Sequence, residues 1–194
     1  MSDKFFEIGL DYNDSSRWYL GQPSTGEGKV LPGTFRDCIR WSDSRPLTVE
    51  IRQAGMPATF NHSGHAIYIL TAELIDSLAS VVDGDTFQAI PVSVEGSSGA
   101  YKILNVLDCV DCVDEQNSEF SRWSMEDGRP ELVGNYRMSL LRIDPKRARG
   151  HDLFRVKGWN IALVCSERVK EFLESVGVTG IRFKPAVHNQ CSEK

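Results

Sequence analysis

No apolar run in this chain approaches the roughly 20 residues that a membrane-spanning helix needs. The first residues, Met1-Ser2-Asp3-Lys4-Phe5-Phe6-Glu7, have neither the basic start nor the long apolar stretch of a secretory leader. Cysteine is sparse and odd in number: Cys38, Cys109, Cys112, Cys165 and Cys191 are five in 194 residues. That count suits a reducing compartment rather than a disulfide framework. The Asn-x-Ser triplets at Asn13 and Asn61 then carry no glycosylation signal. An excess of base is missing too, with 22 Lys and Arg against 27 Asp and Glu and a net charge of −5. Sequence-independent nucleic-acid binding, which draws its affinity from cations on phosphates, is therefore not expected. Binding to a basic protein remains open. The expectation is a cytoplasmic protein that binds no membrane and no nucleic acid.

The signatures of several enzyme classes are missing as well. There is no Gly-x-Ser-x-Gly, no phosphate-binding Gly-x-x-x-x-Gly-Lys-Ser/Thr and no Gly-x-Gly-x-x-Gly. His62-x-x-His65 is too short for a helical zinc-protease motif and sits among strand-like residues and a glycine. Cys109-x-x-Cys112 has no second ligand pair at zinc spacing. It also lies in a strand pattern, where positions three apart face opposite ways. No cofactor, metal site or catalytic residue is expected.

What is present is ordinary globular composition, 41% hydrophobic and 25% charged. A chain of this length buries roughly 70% of its unfolded surface and needs no staples. The spacing predicts short strands and turns before residue 60, including Phe5 to Leu10, Arg17 to Leu20 and Leu47 to Ile51. Trp18, Tyr19 and Trp41 read as packing residues. Thr71 caps an expected helix whose face is Leu74, Ile75, Leu78, Val81 and Val82, stopped by Asp83-Gly84-Asp85. A strand from Thr86 to Val94 follows, with Pro91 marking an edge or a bend. The same design closes the chain: a strand from Asn160 to Cys165, a cap at Ser166, and a helix face of Val169, Phe172, Leu173 and Val176. Gly177 stops that helix, and a strand runs from Ile181 to Lys184. Between the two units, Tyr101 to Val113 reads as one long strand and Asp114 to Gly134 as a long exposed loop. The fold class expected is α+β, with a mixed, largely antiparallel sheet and two main amphipathic helices. One domain over residues 1–194 is expected, with a small β-rich lobe in 1–60.

Charge is polarised along the chain. Asp108 to Glu131 carries eight carboxylates against two arginines, whereas Arg137 to Lys184 carries eleven bases against five acids. The two regions either pair with each other or present separate charged faces.

Several stretches, in order, resemble one family: the immunity proteins of bacterial polymorphic toxin systems, first described as a domain of a myxobacterial protein. They are Arg17-Trp18-Tyr19-Leu20-Gly21, Tyr101-Lys102-Ile103-Leu104-Asn105-Val106, Val110-Asp111-Cys112-Val113-Asp114 and Ser118-Glu119. Leu141-Arg142-Ile143-Asp144-Pro145, Phe154-Arg155 and Val178-Thr179-Gly180-Ile181-Arg182-Phe183 complete the set. The resemblance implies a non-catalytic protein that binds and neutralises a cognate toxin by occluding its active site. It brings no contact residues with it. From charge, loop length and an isolated Trp, the expected contact residues are Asp111, Asp114, Glu115, Glu119, Trp123, Glu126 and Asp127. A basic nuclease domain is the toxin such a surface suits. The competing readings are a metal-dependent hydrolase built on Asp108, Asp111 and Asp114, with His62 or His65, and a generic interaction domain.

Overall fold

The computed structural model describes residues 4–11 and 16–187. Asn13 and Cys191 lie outside them. Two large sheets and a small ribbon make up the architecture. In the first sheet, Phe5–Leu10 runs antiparallel between Trp159–Ser166 and Ile181–Pro185. Leu153–Val156 continues the sheet beyond Trp159–Ser166, and Cys109–Val110 adds a parallel edge strand. The N-terminal strand is thus bracketed by C-terminal ones.

The second sheet is centred on Tyr101–Val106, antiparallel to both Phe87–Val94 and Ile67–Thr71. Phe60–Ser63 and then Tyr19–Leu20 extend it on one side, ending at Ile51–Gln53. On the other side Phe87–Val94 meets Thr48–Val49, beyond which lie Ser24–Thr25 and Gly28–Lys29. Only Glu50 separates Thr48–Val49 from Ile51–Gln53, yet those two strands sit towards opposite ends of the sheet. The sheet must therefore curl until residues 48–53 join its two sides, as a barrel wall does.

Strand alternation explains how three cores fit around two sheets. Ile67 and Ile69 point into the curled sheet with Trp18, Phe35, Val49, Ile90 and Ile103. Tyr68 and Leu70, between them in sequence, point out into a central core shared with Ile8, Leu163 and Cys165 of the first sheet. Phe154, Ala162 and Val164 face the third core, with Val110, Cys112, Tyr136 and Ile143.

The central core also takes both predicted helices. Helix α1 (Ala72–Leu78) follows Thr71, and Leu74, Ile75 and Leu78 are buried. Its chain turns out of helix sooner than the spacing predicts, through Ala79–Val82, but Val82 still packs inward. Thr71 occupies the cap position without making a capping bond. Helix α2 (Pro145–Ala148) was not expected; Asp144 caps it by accepting from Lys146 N at 2.8 Å. Helix α3 (Glu167–Ser175) is capped as predicted, with Ser166 Oγ accepting from Val169 N. Leu74 and Leu78 of the first of these helices, like Val169 and Leu173 of the last, enter the same core, whereas Val176 is exposed.

Three expectations change. The long strand from Tyr101 to Val113 is two strands, because the chain leaves the second sheet at Leu107 and Asp108 and enters the first at Cys109. The segment from Asp114 to Gly134 contains a strand, Glu119–Arg122, paired antiparallel with Tyr136–Leu140. Pro91 is in an interior strand rather than at an edge. It fits because the partner on its far side pairs only from Ser93 onward, so no ladder bond asks for its missing N–H.

Candidate functional site

The ribbon of Glu119–Arg122 and Tyr136–Leu140 separates two surface grooves. One, of about 1010 Å³, gathers Asp111, Asp114 and Glu115 beneath Arg122 and Tyr136. The other, of about 770 Å³, is lined by Glu119, Trp123, Arg137 and Trp159. Expected contact residues therefore divide between the two sides. Glu126 is exposed on the short turn Met125–Asp127 that follows the ribbon strand.

Much of the acidic excess is matched locally. Asp111 takes Arg147 at 2.6 Å, and Glu115 takes both Arg122 and the Tyr136 hydroxyl at 2.5 Å. Arg122 lies 4.2 Å from the Tyr136 ring centroid, which completes a tight stack over Glu115. Asp127 accepts from Ser124 N at 2.8 Å and pairs with Arg137 at 3.1 Å. The Ser124 bonds hold its carboxyl below the ordinary range, aided by Arg137. Arg137 in turn sits 4.6 Å from the Trp123 ring centroid. Asp114 is bound by its own turn, accepting from Gln116 N at 3.1 Å and Asn117 Nδ2 at 2.7 Å. Arg137 and Arg147 belong to the basic third of the chain, so the acidic and basic regions do pair across the fold. Asp114, Glu119 and Glu126 form no ion pair with a described residue.

The carboxylates of the hydrolase reading are each engaged by a different partner. Asp108 Oδ2 bonds His151 Nδ1 at 2.6 Å, Asp111 is held by Arg147, and Asp114 is used by its turn. Among the described residues no three His, Cys, Asp or Glu side chains are grouped to hold a metal ion. His62 and His65 line a separate crevice with Tyr68 and Ile161. Cys109 and Cys112 part because the strand ends at Val110: Cys109 on it is exposed, whereas Cys112 beyond it is buried and its thiol is pushed up to about 12 by burial.

That crevice borders a buried cation. Arg155 is fully buried and extends from the first sheet toward the second. It donates to Ala66 O at 2.9 Å, Asn160 O at 3.1 Å and Phe35 O at 3.3 Å, with its guanidinium 4.9 Å from the Tyr68 ring centroid. Left-handed backbone at His65 (φ 65°) and Ala66 (φ 59°) turns the Ala66 carbonyl to it. Burial first, then Arg155 and Arg17, brings His62 down to about 4. Unfolded, the same imidazole titrates near 6.5. The unfolded chain therefore takes up the proton first, and stability is lost as pH falls from about 6.5 toward 4, by up to about 3 kcal/mol. Denaturant titrations should show the parent losing stability faster than His62→Gln over that window; parallel curves would remove His62 as the cause.

The model of the immunity protein family Imm11 matches residues 8–188 of the 194. The chain belongs to this family. No curated protein matches the sequence. In this Imm11 member, the stretches that carry the resemblance are mostly framework. Arg17 donates to Gly180 O at 3.0 Å, joining the first and last of them. Gly180, at φ +94°, lies so close to the preceding sheet that a Cβ would stand 2.3 Å from Phe60 O. Tyr101–Val106 is the central strand of the curled sheet, Asp144 caps α2, and Arg155 is the buried cation. The tip of the ribbon, with Trp123, Glu126 and Asp127, lies outside those stretches. Membership of an immunity protein family suggests a non-enzymatic role and implies a toxin partner. No helix among the described residues is long and apolar enough to cross a membrane.

Sequence reasoning missed the arginines that organise the site, Arg122, Arg137 and Arg147, and it missed the ribbon. The alternation of Phe120, Arg122, Tyr136 and Met138 was the available signal, diluted by the serines and charges between them.

Proposed function

We propose that this chain binds a cognate toxin and silences it by covering the toxin's active site, without any turnover of its own. The observation that carries the reading is the family match over residues 8–188. The ribbon supports its placement on the surface: at its end Trp123, half-buried beside Arg137 and Glu119, lines one of the two grooves, and aromatic side chains set among polar groups are how interface anchors are usually built. Occlusion needs a complementary surface of roughly 1,600 Å² in total. Asp111, Asp114, Glu115, Glu119, Trp123, Glu126 and Asp127 are the proposed contacts. Asp114, Glu119 and Glu126 bring charge that is not already matched by an arginine, and the whole chain carries −5. That favours a basic partner, such as a nuclease domain with a phosphate-binding cleft, and fast association by electrostatic steering. The reading places the protein in the cytoplasm of the cell it protects.

Co-expression with the toxin encoded beside its gene tests the reading: the chain should restore growth and co-purify with the toxin, and continued killing despite soluble, folded protein would refute it. Trp123 is half-buried on an exposed ribbon, so Trp123→Ala should leave the melting temperature nearly unchanged while weakening toxin binding by about 2 kcal/mol or more. A fall in melting temperature that accounts for the binding loss would make Trp123 a pin for the ribbon instead. Glu115 and Asp114 are tied into local bonds, so charge reversal is cleaner at Glu119 and Glu126. Glu119→Lys with Glu126→Lys should slow association, and added salt should shrink the difference from the parent.

A further inference from the structure

The connection from Phe35 to Trp41 brings a second cysteine to Cys109. Cys38 comes from that connection and Cys109 from the edge strand of the first sheet, and each thiol perturbs the proton affinity of the other. Cys38 also lies 3.8 Å from Asp108 O. The connection is held from both sides: Phe35 O accepts from Arg155 at 3.3 Å and Ile39 O from Asn105 Nδ2 at 3.0 Å. Cys38 itself adopts left-handed backbone, φ 58°, which a residue with a side chain rarely takes unless its surroundings hold it there. The pair is asymmetric in access, because Cys109 is exposed and Cys38 is partly buried behind it.

We propose that Cys38 and Cys109 form a thiol–disulfide exchange site that reacts with low-molecular-weight disulfides and closes reversibly to an intramolecular disulfide. The exposed Cys109 reacts first. Its thiolate attacks one sulfur of the small disulfide, the small S–S bond breaks, and one small thiolate leaves and takes up a proton. Cys38 then gives up its proton to solvent, and its sulfur attacks the Cys109 sulfur and displaces the second small thiol. The two protein thiols have lost two electrons and two protons, and one small disulfide has become two small thiols. An excess of small thiol reverses both steps. The electrostatics fit this order. The Cys38 thiol, opposed by burial and assisted by Lys157, brings Cys109 down to about 7, whereas the Cys109 thiol and burial push Cys38 up. Attacking thiol and resolving thiol are thereby distinguished. Closure would staple the curled sheet to the first sheet at a point where only hydrogen bonds now join the connection to the strand.

The test is peptide mapping of the full chain after incubation with oxidised glutathione. A Cys38–Cys109 linked peptide that disappears on adding reduced glutathione is the expected result, with Cys112 and Cys165 still free. Cys38→Ser should instead accumulate a glutathione adduct at Cys109, and Cys109→Ser should leave Cys38 unmodified. In the parent, the rate of Cys109 alkylation should rise through about pH 7. A stable glutathione adduct on Cys109 of the parent with Cys38 still reactive would overturn the proposal. So would a bridge from Cys109 to Cys112 or Cys191. The parent's map decides the matter even if a variant fails to fold.

Discussion

Arg155→Ala is expected to cost about 3–5 kcal/mol of folding stability, read as a drop in denaturant midpoint. Two effects oppose each other at this residue. A fully buried guanidinium with no carboxylate beside it carries an uncompensated desolvation penalty, and burial lowers its affinity for its proton. Removing it relieves that penalty. Against this, the carbonyls of Phe35, Ala66 and Asn160 lose their donor. An unsatisfied buried carbonyl costs about 1–3 kcal/mol, and the truncated side chain leaves a cavity under Tyr68. Several carbonyls plus a cavity outweigh one relieved charge. Arg155→Met separates the terms, since it keeps the stem and drops both the charge and the donors; it should fall between the parent and Arg155→Ala. An alanine variant as stable as the parent would mean that water satisfies those carbonyls and that the cation does not join the sheets.

Leu78→Ala and Leu173→Ala are each expected to cost roughly 2–5 kcal/mol. Both side chains are essentially inaccessible, and both enter the one core that lies between the two sheets. Leu78 closes the last turn of α1, and Leu173 sits mid-helix in α3 with Val169 one turn before it. Both sheets line the space these side chains fill, so neither cavity is expected to collapse fully, which places the cost toward the upper part of the range. The two residues share a core, so the double variant should deviate from additivity. An unchanged midpoint for either single variant would contradict the packing of that helix.

Helices α1 and α3 were legible because periodicity and the residues that flank a helix are local signals, whereas the single turn of α2 is too short to show a period. Ser166, Val169, Leu173 and Gly177 state α3 within a dozen positions. Strand Phe5–Leu10 was equally plain, but its neighbours were not: pairing with Ser166 and Lys184 depends on contacts across almost the whole chain, which no local pattern encodes. The division of Tyr101 to Val113 between two sheets was hidden for a similar reason. Leu107 reads as strand interior and a single Asp108 is a weak break in an otherwise apolar run, so only tertiary pairing moves Cys109 to another sheet. At the candidate site, charge read in sequence marked an acidic segment but not the pairing of its carboxylates. Arg137 and Arg147 come from a different part of the chain and match acids that look unpaired on paper. The Cys38–Cys109 approach left no mark in the sequence, since neither cysteine has a spacing that points to the other.

Hydrogen exchange of the purified chain, alone and saturated with the toxin it is proposed to bind, tests the central claim most directly. The account predicts slowed exchange concentrated on residues 111–140, covering the ribbon and both grooves, with the framework around Gly180 and Arg155 unaffected. Slowed exchange confined to other surfaces, or none at a toxin concentration that saturates inhibition, would contradict it.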